Sequence, residues 1–293
     1  MAGHETDKLH LDRQAAYSVL MSVYHAENPE FLRMAIDSIY RQTVYPGEFV
    51  LVCDGPLPEP LERVIHSFEN SHGEFRVLRL PENRGLWSAL DEGIRICSHE
   101  IIIRMDSDDI ALPERCEKQL RYLEDHPEVD VCSGQIAEFA ETPRKITGYR
   151  ILPCTDQALQ AFAKKRNPIN HMAAAFRKAA VLAAGGYRNV PYAEDYDLWV
   201  RMILNGSRLG NLPDVLVYAR IGNGMIARRG GRQYARSARM LQKSFYKAGF
   251  LSRGEYLRNC AVRTAVSLLP ERARQLFYRK TLREQEGRLI ETV

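Results

Sequence analysis

Acidic side chains occur in groups whose spacing could support catalysis. Asp106 and Asp108 lie two residues apart, directly after the apolar run 101–105. Hard cations such as Mg²⁺ and Mn²⁺ prefer carboxylate oxygens, so two carboxylates placed there could share one metal–phosphate complex. The same Asp-x-Asp pattern is common in surface loops. Its position after a predicted strand is what favours a metal site.

A second acidic group, Glu194 and Asp195, opens an amphipathic stretch that predicts a helix over 195–204. A carboxylate often acts as the general base that removes a proton from a hydroxyl group. Acidic residues at a helix start are also favourable through capping and the helix dipole alone. Both interpretations stay open for this segment.

Two further motifs carry weaker signals. Asp54 and Gly55 follow a predicted strand, where they could form a simple turn or accept hydrogen bonds from a nucleotide base or ribose. Asn83, Arg84 and Gly85 precede a predicted helix. They could be a loop with Asn83 as the cap, or they could direct the helix N-terminus and Arg84 toward an anionic ligand.

The hydrophobic pattern predicts the scaffold that positions these groups. Short apolar runs separated by segments of helical spacing predict strands at 17–24, 49–53, 75–80, 101–105 and 129–133. Four such alternations indicate an α/β fold with a mostly parallel sheet and helices on both faces. Ligands bind at the carboxyl ends of such strands, and Glu27, Asp54 and Asp106 all lie just beyond predicted strands.

The second half of the chain alternates less regularly. We predict a strand at 173–177, the helix at 195–204 and another strand at 215–221. From about residue 230 the pattern is helical, with breaks predicted at Gly254 and Pro270.

Composition limits the class of protein. The 293 residues are 45% hydrophobic and 27% charged, which suits one large globular domain, alone or with a helical appendage. No run approaches the ~18 apolar residues of a membrane-spanning helix, and the polar segment 1–14 predicts a flexible lead without a secretory signal. The six cysteines form neither a Cys-x-x-Cys pair nor a zinc-type cluster, which fits a reducing cytoplasm.

The net charge of +4 is unevenly distributed. Segment 228–288 carries 16 Lys and Arg against four acidic residues, whereas segment 1–227 carries 25 basic and 32 acidic residues. A polyanionic partner would therefore bind the tail. Basic and apolar residues alternate there at helical spacing, which indicates either an interfacial helix on anionic lipid or a solvated face on helices packed against the main domain.

The motifs together resemble a family. In order, they read SVLMSVYHAENPEFL, CDG, ENRGLWSALDEGI, MDSDD and AEDYDLW, and they extend over about 17–220. This series is similar to that of family 2 glycosyltransferases with the GT-A fold, especially the amylovoran-type enzymes of bacterial exopolysaccharide and O-antigen synthesis. The resemblance implies a Rossmann-like GT-A domain over 15–227 and a basic helical extension over 228–293.

The resemblance also implies an activity. It would be the transfer, with inversion, of a sugar from a nucleotide sugar, by family habit a UDP-sugar, to a hydroxyl group. The acceptor would be a polyprenyl-diphosphate-linked sugar or an oligosaccharide. Such a protein would need Mn²⁺ or Mg²⁺ and would work as a peripheral protein on the cytoplasmic face of the membrane.

The implied roles fall on the residues already singled out. Glu27 and Asp54 would line the nucleoside pocket, with Arg84 toward the donor. Asp106 would contact ribose or metal, and Asp108 would be the main metal ligand. The catalytic base would be Asp195.

Three acceptor contacts are also expected. Glu194 would face the acceptor, and His171 resembles a recurring family histidine on the acceptor side, although a lone histidine beside an apolar strand is often structural. Trp199 could stack on a sugar ring or belong to the core. Many relatives also place a histidine just after the strand that ends here near Arg220. This chain has Ile221 and Gly222 at that point instead. The third protein contact to the metal therefore stays open.

Two other classes of protein share some of these features. A sugar nucleotidyltransferase also uses an α/β sheet and a carboxylate-held metal, but the segment SVYHAENPE after the first strand is not a Gly-rich loop with Arg or Lys. A binding protein that uses the basic tail is the other alternative. No nucleic-acid-binding motif accompanies the charge, so nucleic acid is not an expected partner. Neither G-x-G-x-x-G nor a P-loop is present.

Overall fold

The computed structural model describes residues 14–222, 230–274 and 277, and these form an α/β structure. Nine strands make up one sheet: β1 Gln14–Tyr24, β2 Tyr45–Asp54, β3 Phe75–Arg79, β4 Ile101–Asp106, β5 Ile110–Ala111, β6 Val129–Phe139, β7 Ile146–Arg150, β8 Ala175–Arg177 and β9 Arg208–Arg220. The helices are α1 Pro29–Tyr40, α2 Glu59–Glu69, α3 Leu86–Ile96, α4 Arg115–Asp125, α5 Asp156–Ala163, α6 Lys178–Ala183, α7 Glu194–Leu204, α8 Gly231–Lys247 and α9 Arg253–Leu268.

The strand order along the sheet is β3-β2-β1-β4-β8-β6-β9-β5, and β7 pairs with β6. The long pairings of β1 with β2 and of β6 with β9 are parallel, as are β1 with β4 and β2 with β3. The prediction of a mostly parallel sheet flanked by helices is confirmed. The short strand β8 lies between β4 and β6 and is antiparallel to both.

Apolar side chains on the two faces of the sheet make two buried layers. Met21 of β1 packs on one face with α1 and α2, and Leu20 packs on the other face with α3 and α7. Helix α3 approaches the sheet closely at Gly93, where a Cβ atom would lie 2.4 Å from Leu20 and 2.9 Å from Val52. Burial on both faces explains why these strands are continuously apolar rather than alternating.

Several elements were not predicted. Strands β5 and β7 and helices α5 and α6 are short, and short elements give little periodicity to detect. Strands β6 and β9 are both longer than predicted, because they pair with each other along most of their length.

The C-terminal helices form a hairpin, and their boundary differs from the prediction. The break falls at Gly249, whose φ of 77° suits only glycine well, and Ser252 starts α9 with a capping box. Gly254 therefore lies in the first turn of α9, and its predicted role as a helix breaker is wrong. The predicted break at Pro270 agrees with the end of α9 at Leu268.

Helix α8 packs against the rest of the protein. Leu241 and Phe245 are buried in one cluster with Tyr196 and Val200 of α7. The predicted flexible lead, apart from residue 14, and the basic residues Arg228 and Arg229 lie outside the described residues. Within the described ranges, no helix is long and apolar enough to cross a bilayer. All six cysteines are free thiols.

Candidate active site

The carboxyl ends of neighbouring strands bring the first acidic group together. Strand β4 ends at Asp106, which forms an ion pair with Arg104 of the same strand. Ser107 then donates a 2.6 Å hydrogen bond to Oε2 of Glu27, which follows β1. Glu27 and Asp106 therefore belong to one cluster, as the placement of both after parallel strands predicts.

Arg220, at the end of β9, closes this cluster on one side. Its backbone N–H donates to Asp109 at 2.7 Å, and its Nε donates to the carbonyl oxygen of Asp108 at 3.0 Å. The guanidinium carbon lies 3.7 Å from the ring centroid of Phe31 and 4.6 Å from that of Phe139. Two aromatic faces thus hold a positive charge beside the acidic run.

The electrostatics of the cluster suit a divalent cation. Burial, aided by the nearby Asp106 and Glu27 carboxylates, raises the pKa of Asp108 to about 7. Burial, with repulsion from Asp106 and Asp108, also raises the pKa of Asp109. A bound cation would relieve this repulsion. Within the described residues, no three His, Cys, Asp or Glu side chains can enclose a metal on their own, so further ligands would have to be phosphate oxygens or water, as Mg²⁺ commonly arranges.

The second acidic group lies at the N-terminus of α7. Asp195 accepts hydrogen bonds from the amide of Asn167 and, at 2.7 Å, from the backbone N–H of Tyr196. Burial raises the pKa of Asp195, and burial together with the Asp195 charge raises the pKa of Glu194 to about 7. The fold orients the Asp195 carboxylate, and nearby arginines lower the pKa values of both residues by less than burial raises them.

Arg104 connects the two groups. Its side chain is 1% exposed and lies in the interior of β4. It pairs with Asp106, and its charge also lowers the pKa values of Glu194 and Asp195, although burial has the larger, opposite effect on both. Asp106 in turn raises the pKa of Glu194. The acidic residues of β4 and of α7 are therefore close enough to interact electrostatically, and Arg104 interacts with both groups.

The Asp54 carboxylate holds the loop that precedes α3. Its two oxygens accept the backbone N–H groups of Arg84 at 2.8 Å and Gly85 at 2.9 Å. Gly55 has a φ of 86°, and a Cβ there would lie 2.5 Å from the backbone nitrogen of Asn83. Asp54 sits beside Tyr24 in the sheet register, at the same edge as Asp106. The Arg84 side chain is exposed beside it.

Two predicted acceptor contacts are corrected. Trp199 is fully buried, and its ring packs near those of His171 and Phe176, so the prediction that it stacks on a sugar is wrong. His171 is 8% exposed, and its Nε2 forms a 2.7 Å hydrogen bond with the hydroxyl of Tyr187. Burial, with Arg104 nearby, lowers the pKa of His171 well below its usual value, so it is a neutral support for Tyr187 rather than an acceptor contact.

Several site residues were not predicted. Arg104 had a signal, because an arginine inside the apolar run IIIRM must be paired or solvated somewhere. Asn167, Tyr187 and Arg220 gave no comparable signal, since their partners lie 16 to 112 positions away along the chain.

Comparison with known proteins decides the family. Residues 18–182 match the family model described as "Glycosyl transferase family 2", and this segment contains both Asp54 and the acidic run after β4. The chain belongs to glycosyltransferase family 2. It is therefore an enzyme that transfers a glycosyl group. The second acidic group lies beyond that match but within the alignments to full-length relatives.

Two curated relatives align over nearly their whole length. The chain is 38% identical to the "Amylovoran biosynthesis glycosyltransferase AmsE" of Erwinia amylovora, covering 90% of this chain and 98% of that protein. It is 35% identical to the "UDP-Gal:alpha-D-GlcNAc-diphosphoundecaprenol beta-1,3-galactosyltransferase" of Escherichia coli, covering 93% and 98%.

Two solved structures share the fold. The mannosyltransferase PcManGT of Pyrobaculum calidifontis, in complex with GDP-Man and Mn²⁺, has a TM-score of 0.61 at 20% identity, covering 94% of this chain and 79% of that one. The S. aureus TarS fragment in complex with UDP-GlcNAc has a TM-score of 0.64 at 15% identity, covering 94% and 78%. The likeness establishes a GT-A-type fold.

Proposed function

We propose that this family 2 glycosyltransferase moves a sugar from a UDP-sugar to a hydroxyl group of a lipid-linked or saccharide acceptor, with inversion, in cell-surface polysaccharide biosynthesis. The observation that carries the proposal is the electrostatic interaction of the two acidic groups with each other and with Arg104. The two curated relatives, one named for amylovoran and one for a diphosphoundecaprenol-linked acceptor, support the pathway and the acceptor class.

The donor would bind at the carboxyl edge of β1, β2 and β4. Asp54 and Glu27 flank the nucleoside position, and Arg84 is exposed near the start of α3. Asp108 and Asp106 would hold Mn²⁺ or Mg²⁺. The repulsion between these carboxylates, which helps raise the pKa of Asp108, favours binding of a cation. When bound, the metal would neutralise the charge on the departing diphosphate as a Lewis acid.

The acceptor hydroxyl would lose its proton to Asp195. Hydrogen bonds from Asn167 and Tyr196 hold the Asp195 carboxylate in one orientation, and its raised pKa makes it a stronger base than an exposed aspartate. The hydroxyl oxygen would then form the new bond to the anomeric carbon from the face opposite the nucleoside diphosphate, which accounts for inversion. Glu194 lies next to the base and would orient the acceptor.

The C-terminal hairpin would hold the enzyme on the cytoplasmic face of an anionic membrane. Spacing of three or four residues puts five exposed basic side chains on one face of α8, namely Arg232, Arg236, Arg239, Lys243 and Lys247. Exposed apolar side chains accompany them, among them Met240, Leu257, Val262 and Leu268. Each basic residue could contribute ~1 kcal/mol on anionic lipid. In this proposal the catalytic domain spans 15–227 and the extension 228–293.

Vesicle sedimentation tests the membrane role. Reversing two charges with Arg236→Glu and Arg239→Glu should release the protein from vesicles with anionic lipid, and both proteins should bind neutral vesicles to the same extent. Equal sedimentation of both proteins with anionic vesicles would contradict the role.

The transfer proposal is tested by assaying UDP release. The purified protein is given UDP-Gal, UDP-Glc or UDP-GlcNAc, each with and without Mn²⁺, and GlcNAc-diphosphate-undecyl as acceptor. We expect metal-dependent release of UDP and an acceptor lengthened by one β-linked sugar. Release of inorganic diphosphate from UTP and a sugar phosphate, with no sugar transfer from any donor, would overturn the proposal.

A further inference from the structure

A cleft lies between the segment that leads into α7 and the C-terminal hairpin. It is a shallow crevice that is partly open to solvent. One wall is formed by residues 191–193, and the other by Tyr234, Ser237, Ala238 and Leu241 of α8, with Arg263 of α9. Ala193 lines the cleft and is followed directly by Glu194 and Asp195. The cleft wall is therefore next in sequence to the proposed catalytic base.

Tyr192 has an unusual conformation in this cleft. Its φ is 68°, the one positive φ outside glycine in the described part of the chain, and its side chain is 48% exposed. A bulky residue in the left-handed region is uncommon, and such strain is concentrated at binding and catalytic sites. Burial of the ring does not compensate for this strain. A partly exposed ring in this conformation is a candidate for contact with a ligand.

The ring of Tyr192 faces a second tyrosine. Its centroid lies 5.4 Å from that of Tyr234, with the two planes at 55°. Together the rings offer an apolar surface with polar hydroxyl tips, which suits the faces and hydroxyl groups of a sugar ring. The two tyrosines come from different parts of the chain, one from the loop before α7 and one from the hairpin.

Arg263 provides the charge in the same cleft. Its guanidinium lies 5.6 Å from the centroid of the Tyr196 ring and donates a 2.9 Å hydrogen bond to the carbonyl of Lys165. These contacts hold the guanidinium at the cleft wall. A fixed guanidinium beside an aromatic surface is well suited to a phosphate attached to a sugar.

We propose that this cleft binds the sugar-diphosphate end of the lipid-linked acceptor, with Tyr192 and Tyr234 against the sugar ring and Arg263 on the diphosphate. The hairpin is then part of the acceptor site as well as a support. The exposed basic and apolar faces of α8 and α9 would lie next to the lipid chain of the same acceptor. This inference rests on the proposed transfer reaction and adds where its acceptor binds.

Steady-state kinetics with two probes tests the inference. The first acceptor is GlcNAc-diphosphate-undecyl, and the second is the undecyl glycoside of GlcNAc, which lacks phosphate. Tyr192→Ala and Tyr234→Ala should each raise the KM for both acceptors about tenfold, with the donor KM within twofold of wild type. Arg263→Gln should raise KM for the diphosphate acceptor alone. Tyr246→Ala, an exposed tyrosine of α8 outside the cleft, is the matched control.

Stability measurements separate binding from support. Tyr192→Gly relaxes the backbone and removes the ring, so it should raise the acceptor KM while leaving Tm equal or higher. Acceptor KM values unchanged in all cleft variants, or KM changes that match those of Tyr246→Ala, would overturn the inference. If the proposed function itself is wrong, the wild-type protein transfers no sugar to either acceptor, which distinguishes that outcome from failure of the inference.

Discussion

Two acidic sites at opposite ends of the sheet have opposite electrostatics. Near the start of β2, the Glu48 carboxylate accepts hydrogen bonds from Ser18 Oγ at 2.5 Å and from the backbone and hydroxyl of Ser98 at 2.7 and 2.8 Å. Arg76 adds an ion pair at 2.5 Å. At the other end of the strands, Asp108 and Glu194 lie among other carboxylates.

The pKa shifts follow from this difference. Burial alone would raise the pKa of Glu48, but the four hydrogen bonds outweigh it and the pKa is lowered. Burial and neighbouring carboxylates raise the pKa values of Asp108 and Glu194 to about 7. Glu48 therefore stabilises the fold as a carboxylate, whereas the acidic site destabilises it until a ligand supplies positive charge. Such shifts mark functional sites when they coincide with a cleft.

The largest expected effect is on catalysis. Asp195→Asn removes the proposed base while keeping the hydrogen-bonding shape, so we expect the transfer rate to fall by about 10²–10⁴. UDP-sugar binding, measured by thermal shift, should be retained. Turnover near the wild-type rate would show that Asp195 is not the catalytic base and that its carboxylate, like that of Glu48, has a structural role.

Replacing Glu48 should give the opposite pattern. Glu48→Gln leaves Arg76 without its charged partner and disturbs hydrogen bonds in a buried site, so we expect a loss of about 2–3 kcal/mol in the free energy of unfolding. The rate per folded molecule should stay at the wild-type value. Urea denaturation and transfer assays on the same sample check both points, and a stability equal to wild type would refute the structural role.

Asp108→Asn should sharpen the contrast. Removing one of several repelling carboxylates should stabilise the metal-free protein by about 1 kcal/mol at pH 8, which is less than the full pKa shift implies because the site is partly open to water. The same variant should lose the thermal shift that Mn²⁺ with UDP gives to wild type. A destabilised Asp108→Asn protein would contradict the repulsion argument.

The smallest expected effect is the pH dependence of stability. Groups with raised pKa values contribute stability below their unfolded values and lose it as pH rises through the folded values, here about 7 for Asp108 and Glu194. Glu48, with a lowered pKa, contributes above its unfolded value and loses that contribution in acid. Unfolding free energy should therefore decline slightly from pH 5 to 8 in wild type and decline less in Asp108→Asn. Equal slopes of unfolding free energy against pH in the two proteins would exclude a contribution from Asp108.

Local patterns were enough to predict part of this site. Asp106 and Asp108 follow an apolar run, and Asp195 opens an amphipathic helix, so the sequence places all three at element ends. The partners that determine their chemistry could not be predicted from the sequence, because Arg104 is near α7 only in the folded protein. The same limit explains Trp199, since helical periodicity identifies an apolar face without telling whether it lines a site or the core.

The insertion of β8 has a consequence during synthesis. Strand β4 lies between β1 and β8, and β8 ends at Arg177. An emerging polypeptide therefore displays an open β4 edge, with its backbone N–H and C=O groups unpaired, until the ribosome has released the segment through residue 177. Exposed edges of this kind invite intermolecular pairing. Slow translation before that point should increase dependence on chaperones, and truncated chains that end before β8 should aggregate.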